Sequence, residues 1–376
     1  MKVAYFSNQF ASASGHGIAH YARRLYEGLA AFSDLEIMPV ATWSDRSPTA
    51  VQALQDKTGL QLLPWGRKLT PLAWISLNAP PIERWLKNAV DITHMVALGM
   101  PVATRKRLVA TIHDIGPLTH PEYFHSQKPW LVKRSFEHVV RYADAIVCVS
   151  QATADEVVGY AGESVSKRVR VVREGVDADF FSQVPSSHCE TIERLPFKGA
   201  PFFLAAGAIS PRKNIQRILE GFKQIKNNIP HQLVLVGGQG WDTSEVSKVL
   251  ADPSLSARVH QLGYVSDEEL QALYKQADFY IHPSLFEGFG LTVLEAMAAS
   301  CPVITSNVSS LPEVAGKAAL LVDPLSVDDI AEAIESLALS ASLKSDLIAR
   351  GLSRAQLFSW QQTAQGVADV YREISL

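Results

Sequence analysis

Ser284-Leu285-Phe286-Glu287-Gly288-Phe289-Gly290-Leu291-Thr292-Val293-Leu294-Glu295-Ala296-Met297 carries most of the chemical information in this chain. The apolar run before it, Phe279–His282, is short and bounded like a buried strand, and Thr292–Ala299 has helical spacing. The stretch therefore reads as strand, loop, helix, with the helix starting near Gly290. Glycines let the main chain approach a ligand closely. The free N–H groups and positive dipole of a helix start suit a phosphate. Glu287 falls in the loop and Glu295 about one turn into the helix. A carboxylate accepts two hydroxyl protons at once, so each suits a vicinal diol. For an isolated pair of glutamates, solvated helix charges are the commoner reading; the loop–helix setting shifts the balance.

Working outward, a second cluster, Gly207-Ala208-Ile209-Ser210-Pro211-Arg212-Lys213-Asn214, follows the apolar run Phe202–Ala206 and is read as opening the helix Lys213–Lys226. An Arg-Lys pair at a helix start is most often a surface pair. Here Arg212 and Lys213 stand at a second strand end, where they can neutralise a leaving diphosphate without a metal. Further runs, Gln232–Val236, Val259–Leu262, Asp267–Gln276, Val303–Thr305 and Asp328–Leu337, continue the alternation. The first half has the same character: strands at Lys2–Phe6, Leu35–Val40, Asp91–Met95, Leu108–Ile112, Ala145–Val149 and Val169–Val172, with helices at Ile18–Phe32, Lys128–Tyr142 and Gln151–Val158. Ser150 is the expected N-cap of the last. Residues 42–86 are rich in Pro and Trp and read as mixed loop and helix.

The fold class is α/β, with two Rossmann-like domains and a cleft between them where open parallel sheets bind ligands. The expected division is 1–180, a linker at 181–200 where Pro185 and Pro196 interrupt the periodicity, 201–355, and a helix at 356–376 returning to the first domain. A chain of 376 residues exceeds one ordinary core, in keeping with two domains. With 47% hydrophobic and 19% charged residues it is a folded globule. The formal net charge of -3 gives no signal for nucleic acid, and the acidic excess lies in the second half. Cys148, Cys189 and Cys301 form no C-x-x-C pair and read as thiols of a reducing compartment. The chain enters a strand at once, without a signal-peptide pattern, and has no long apolar run, so a soluble or peripheral cytoplasmic location is expected.

In the first half, Gly15-His16-Gly17 follows the first strand, at a turn that fits a phosphate or sugar, though a plain tight turn is at least as good a reading. His113-Asp114 ends the strand Leu108–Ile112. His113 either meets a sugar hydroxyl or is a loop histidine satisfied by Asp114. The basic and apolar stretch 128–141 suits an anionic membrane surface, with a solvated face over a core stripe the favoured alternative. Asp177-Ala178-Asp179 spells D-x-D, a metal–diphosphate pattern, but lies away from any phosphate-friendly helix start and reads as turn chemistry.

The Glu-x7-Glu spacing around Glu-Gly-Phe-Gly, the Pro211-Arg212-Lys213-Asn214 motif and Leu262-Gly263-Tyr264-Val265-Ser266 together resemble the family 4 retaining glycosyltransferases of the GT-B fold. The likeness runs from Met1 to about Trp360, strongest from Phe203 to Pro324. It implies that Glu287 contacts hydroxyls of the donor sugar and Glu295 the ribose. Arg212 and Lys213 bind the diphosphate, helped by the backbone of Gly207 and of Gly288, Phe289, Gly290 and Leu291. Gly263, Tyr264 and Val265 lie beside the nucleobase, and His113 lies close to the donor sugar. Two departures stand out. Ala19 and His20 replace the Gly and Arg of a Gly-Ile-Gly-Arg-Tyr pattern, and Arg173-Glu174-Gly175-Val176 replaces Pro-Asn-Gly-Val.

The implied activity is metal-independent transfer of a hexose, with GDP-mannose the favoured donor, to a saccharide or lipid-linked acceptor in polysaccharide assembly. No nucleophile–acid carboxyl pair of a retaining hydrolase is evident, so front-face attack is the expected route. A UDP-glucose or UDP-N-acetylglucosamine transferase is the near alternative. A sugar-nucleotide epimerase or a nucleotide-sugar binding module sharing the fold is the alternative of another class.

Overall fold

A computed structural model describes residues 1–13, 17–64, 66–124, 129–183, 195–197, 199–238, 240–241 and 244–376. The expected linker at 181–200 and the pair Gly15-His16 therefore lie mostly outside the described residues. The chain forms two compact units, one from residues 1–119, 126–175 and 360–376, the other from 120–125 and 176–359.

The first unit holds a seven-stranded, all-parallel sheet. Its strands are β1 (Lys2–Phe6), β2 (Glu36–Ala41), β3 (Gln61–Leu62), β4 (Ile92–Met95), β5 (Arg107–Ile112), β6 (Ala145–Cys148) and β7 (Val169–Val171). Their order is β3-β2-β1-β4-β5-β6-β7. Buried on both faces, β6 reads as a continuous apolar run, while the equally buried β4 carries Thr93 and His94. The order reverses direction between β1 and β4, the switch point where such sheets open a crevice at their carboxyl ends. The long run 42–86 resolves into helices Pro48–Thr58 and Gly66–Leu77 around β3, a two-residue strand too short to leave a periodic signal. Ser150 caps its helix as expected, accepting from the Thr153 amide at 3.0 Å.

The second unit's sheet is β8 (Phe202–Ala206), β9 (Gln232–Val236), β10 (Val259–Gly263), β11 (Phe279–His282), β12 (Val303–Ser306) and β13 (Ala319–Val322), again all parallel. The order β10-β9-β8-β11-β12-β13 puts its switch point between β8 and β11. Its core is aliphatic and aromatic, with Phe203 in ring contact with both Phe222 and Phe279. Here β13 and the helix Ala341–Ala355 go beyond what the sequence alone indicates.

Three helices matter below: α1 (Ile18–Ala30), α2 (Ile215–Ile225) and α3 (Leu291–Ala298). A fourth, α4 (Trp360–Ser375), belongs to the first unit. Ala364 lies against Gly28 of α1, so that a Cβ there would sit 2.6 Å from the alanine Cβ. Tyr371 Oη of α4 meets the buried His94 Nδ1 at 2.6 Å. Asp177 and Asp179 stand at the N-terminus of the short helix Ala178–Ser182. No helix among the described residues is long and apolar enough to cross a membrane.

Candidate active site

The switch point of the second unit brings the two sequence clusters together. Arg212 and Lys213 follow β8, and Glu287 follows the adjacent β11. One expectation is corrected. The Arg-Lys pair does not open a helix. Pro211–Lys213 is a separate 3-10 turn, Asn214 follows with φ 59, and α2 begins only at Ile215. The reason is Asn214, whose buried side-chain amide donates to the carbonyls of Pro283 (3.0 Å) and Pro324 (2.7 Å). This left-handed residue breaks the helix and ties the loop after β8 to the loop after β11. Leu285 N–H adds a bond to Arg212 O at 2.9 Å.

Glu287 sits at the centre of these contacts. It is 9% exposed. Its Oε1 accepts from Lys213 Nζ at 2.7 Å and Ser284 Oγ at 2.8 Å, with His282 Nε2 at 3.1 Å. Its Oε2 pairs with the Arg212 guanidinium, which also donates to Phe286 O at 2.9 Å. Burial alone would raise this carboxyl, but Arg212, then Lys213 and His282, hold it well below the usual range. Burial pulls Lys213 down against the opposing carboxylate. Burial, then Lys213, lowers His282 to about 4, so the ring is neutral. A neutral imidazole has one donor and one acceptor nitrogen. Tyr280 Oη at 2.9 Å donates to Nδ1, leaving Nε2–H for Glu287. Two cations thus meet on one directly paired carboxylate, with Glu295 acting on Lys213 as a weaker second negative charge.

The surrounding backbone is held by serines. Ser309 and Ser310 hydroxyls donate to Glu287 O at 2.6 and 2.8 Å, and Ser310 lies 2.6 Å from Phe289 O. Gly290 has φ 110 and caps α3, and a Cβ there would meet buried Leu311 at 2.7 Å. Gly288 and Leu291 are half-buried and Phe289 is buried. Glu295 is half-buried on α3 and accepts from Tyr274 Oη at 3.4 Å. Two backbone bonds join the ends of three strands: Gly207 N–H donates to Val236 O at 2.8 Å, and Gly237 N–H donates to Gly263 O at 2.7 Å. Tyr264 is exposed and Val265 buried. Ser266 closes a capping box with Glu269, which fixes the chain beyond Gly263.

In the first unit, Gly17 has φ 58 at the start of α1. His113 directly follows β5, and its partner is not Asp114. Asp114 Oδ1 accepts from Gly116 N at 3.0 Å, while His113 Nδ1 faces Glu174 Oε1 at 2.9 Å. The departure at 173–176 thus supplies a carboxylate to His113 from 61 residues away. His282, Ser284, Asn214 and Glu174 were not singled out from sequence. His282 reads as a strand residue, and Glu174 becomes informative only once β5 and β7 lie in one sheet.

Two family models cover most of the chain: "Glycosyl transferases group 1" matches residues 190–354 and "Glycosyltransferase Family 4" residues 15–180. The O-antigen chain mannosyltransferase B of Escherichia coli is 30% identical over 366 residues, 95% of this chain and 96% of that protein. The chain belongs to the group 1 glycosyltransferases. A second E. coli relative, the serotype-specific mannosyltransferase WbdA, is 30% identical over 69% of this chain, which spans only 32% of that longer protein. The solved structure of Anabaena Alr3699/HepE in complex with UDP and glucose superposes with a TM-score of 0.74 at 18% identity, covering 99% of this chain and 100% of that one. The architecture of this glycosyltransferase is GT-B, two Rossmann-like units with seven- and six-stranded parallel sheets. As an enzyme of sugar transfer it is neither the epimerase nor the bare binding module weighed as rivals.

Proposed function

We propose that this glycosyltransferase moves mannose from GDP-mannose to a saccharide or lipid-linked saccharide acceptor, with retention, by front-face attack and without a metal. The observation that carries the reading is the meeting of Arg212, Lys213 and Glu287 at the switch point of the second unit. Arg212 and Lys213 stabilise the departing diphosphate, which takes the acceptor's proton as the new bond forms. Glu287 holds the two cations apart and in register. Oε1 is taken by Lys213, Ser284 and His282 and Oε2 by Arg212, so Oε2 is the oxygen with a lone pair left for a sugar hydroxyl. Glu295 takes the ribose diol, the amides at Gly290 and Leu291 face a phosphate, and Gly263–Val265 flanks the base. His113 meets a substrate hydroxyl.

The preference for mannose rests on the activities named for the two E. coli relatives. The UDP and glucose of the Anabaena structure favour the second reading, a UDP-hexose donor. A thermal-shift panel of GDP-mannose, UDP-glucose, UDP-N-acetylglucosamine and an ADP-sugar separates them. A ligand at 100 times its Kd stabilises by about 2.7 kcal/mol. GDP-mannose should raise Tm most, and saturating stabilisation by a UDP sugar alone would replace mannose with that donor. Anomeric analysis of the product tests retention, and full turnover in EDTA tests metal independence. A cytoplasmic enzyme working on lipid-linked acceptors fits peripheral contact through exposed Trp130, Lys133 and Arg134. Flotation with anionic liposomes at low salt tests that part, and no binding removes it.

A further inference from the structure

Glu174 is a buried carboxylate that the mechanism above does not use. It is 8% exposed, in the loop after β7, three residues beyond the strand's end. The loop is anchored at the two residues that precede Glu174. Val172 N–H donates to Cys148 O at 2.9 Å, and Thr363 Oγ1 of α4 donates to Arg173 O at 2.8 Å. Burying a carboxylate is costly unless it is paired and hydrogen-bonded. The pairing is with His113: Nδ1 and Oε1 lie 2.9 Å apart, with side chains 11% and 10% exposed.

The geometry of the ring is over-determined. An ionised carboxylate can only accept, so the proton of this bond sits on His113 Nδ1. Nε2 lies 3.2 Å from Val96 O, at the end of β4. The Tyr21 ring stands edge-on to the imidazole, centroids 4.5 Å apart and planes at 90°. Thr153 Oγ1 donates to the His113 carbonyl at 3.3 Å. The loop after β7 and helix α1 thus each restrain a ring that follows β5; Nε2 can bond Val96 O only when it too carries a proton, and with the proton on Nδ1 it keeps its lone pair for a substrate O–H. Without Glu174 the Nδ1 restraint is gone, and the ring is free to exchange tautomers or turn.

We propose that Glu174 is a positioning residue for sugar transfer: its carboxylate fixes the Nδ1–H form and the plane of His113, presenting Nε2 to a substrate hydroxyl at the carboxyl ends of β4 and β5. This rests on the role given to His113 above. Carboxylate-held imidazoles of this kind recur in enzymes because the tautomer decides which nitrogen meets the substrate.

The test has a spectroscopic and a kinetic arm. Long-range 1H–15N correlation of the whole chain, with His113→Gln assigning the ring, reads the protonated nitrogens directly. Wild type should show a proton on Nδ1, Glu174→Gln should keep it through the amide oxygen, and Glu174→Ala should lose it or show mixed tautomers. A wild-type ring bearing its only proton on Nε2 overturns the proposal without recourse to any variant. In the kinetic arm, release of GDP from GDP-mannose should fall roughly 10-fold or more in kcat for Glu174→Ala, with KM changed less than kcat. Glu174→Gln should recover most of the rate. Equal loss in both variants, with unchanged His113 spectra, marks a merely structural residue and overturns the proposal. A near-wild-type rate in His113→Ala overturns it at its premise instead, so failure of the histidine's role and failure of the Glu174 link are told apart.

Discussion

At the scale of the residue, Glu287 answers to two opposing demands. A buried carboxylate is unfavourable by itself, and two adjacent cations are unfavourable without it, so each makes the other tolerable. The isosteric Glu287→Gln tests this directly. The amide keeps the shape but leaves Arg212 and Lys213 uncompensated, and its N–H₂ would face donors. Breaking a buried pair in this way costs about 3–5 kcal/mol of stability, and loss of one charge-stabilising group costs roughly 10²–10³ in rate. Both a lowered Tm and a large fall in GDP release from GDP-mannose are expected, and Lys213→Ala should match the fall in rate. Retention of near-wild-type turnover in either would show that the diphosphate is stabilised elsewhere. Arg212, Lys213 and Glu287 were legible in the sequence because each sits in a short motif whose glycines and proline mark a strand end. Their pairing was not, because Lys213 and Glu287 are 74 residues apart and meet only through the order of β8 and β11.

At the scale of the element, the loop after β8 works because its first residue has no side chain. Gly207 has φ 136, and a Cβ built there would lie 3.0 Å from Lys213 Cε and 3.3 Å from its Cδ. The lysine stem therefore lies across the glycine, and its ammonium reaches Glu287. Gly207→Ala should act on both counts. Backbone strain in this region costs about 1–3 kcal/mol, and the methyl displaces the stem of Lys213. Turnover should fall by roughly 10-fold or more while the fold survives, since each 1.36 kcal/mol on the barrier is about tenfold. An alanine variant with unchanged kcat and Tm would mean that the stem takes another path. Apart from β3 and β13, the strands are legible as short apolar runs, because parallel sheets are buried on both faces. Helix starts were less legible. Arg212 and Lys213 look helical by spacing, and only the contacts of Asn214 with Pro283 and Pro324 show why α2 begins later.

At the scale of the whole molecule, acid should weaken the fold through histidines buried uncharged. His94 is fully buried in β4, between Tyr371 Oη of α4 and Thr111 Oγ1 of β5, at 2.6 and 2.8 Å. Burial, and then the neighbouring His113, lower it to about 3 from an ordinary 6.5. Between those values the unfolded chain takes up a proton that the folded chain refuses. Stability therefore rises with pH across this window, is complete above about 6.5, and is lost as pH falls toward 3. His282 adds a similar slope down to about 4, and burial lowers His138 and His260 in the same direction. His94→Gln removes one contribution of the order of a few kcal/mol, since each tenfold loss of proton affinity is worth about 1.4 kcal/mol. Urea unfolding of wild type and variant at about pH 7, 6 and 5 should give a shallower pH dependence for the variant, with the slope left by His282 and the other buried histidines intact. If the two slopes are the same, His94 is not held neutral in the folded chain, and its burial does not set the acid sensitivity of the fold.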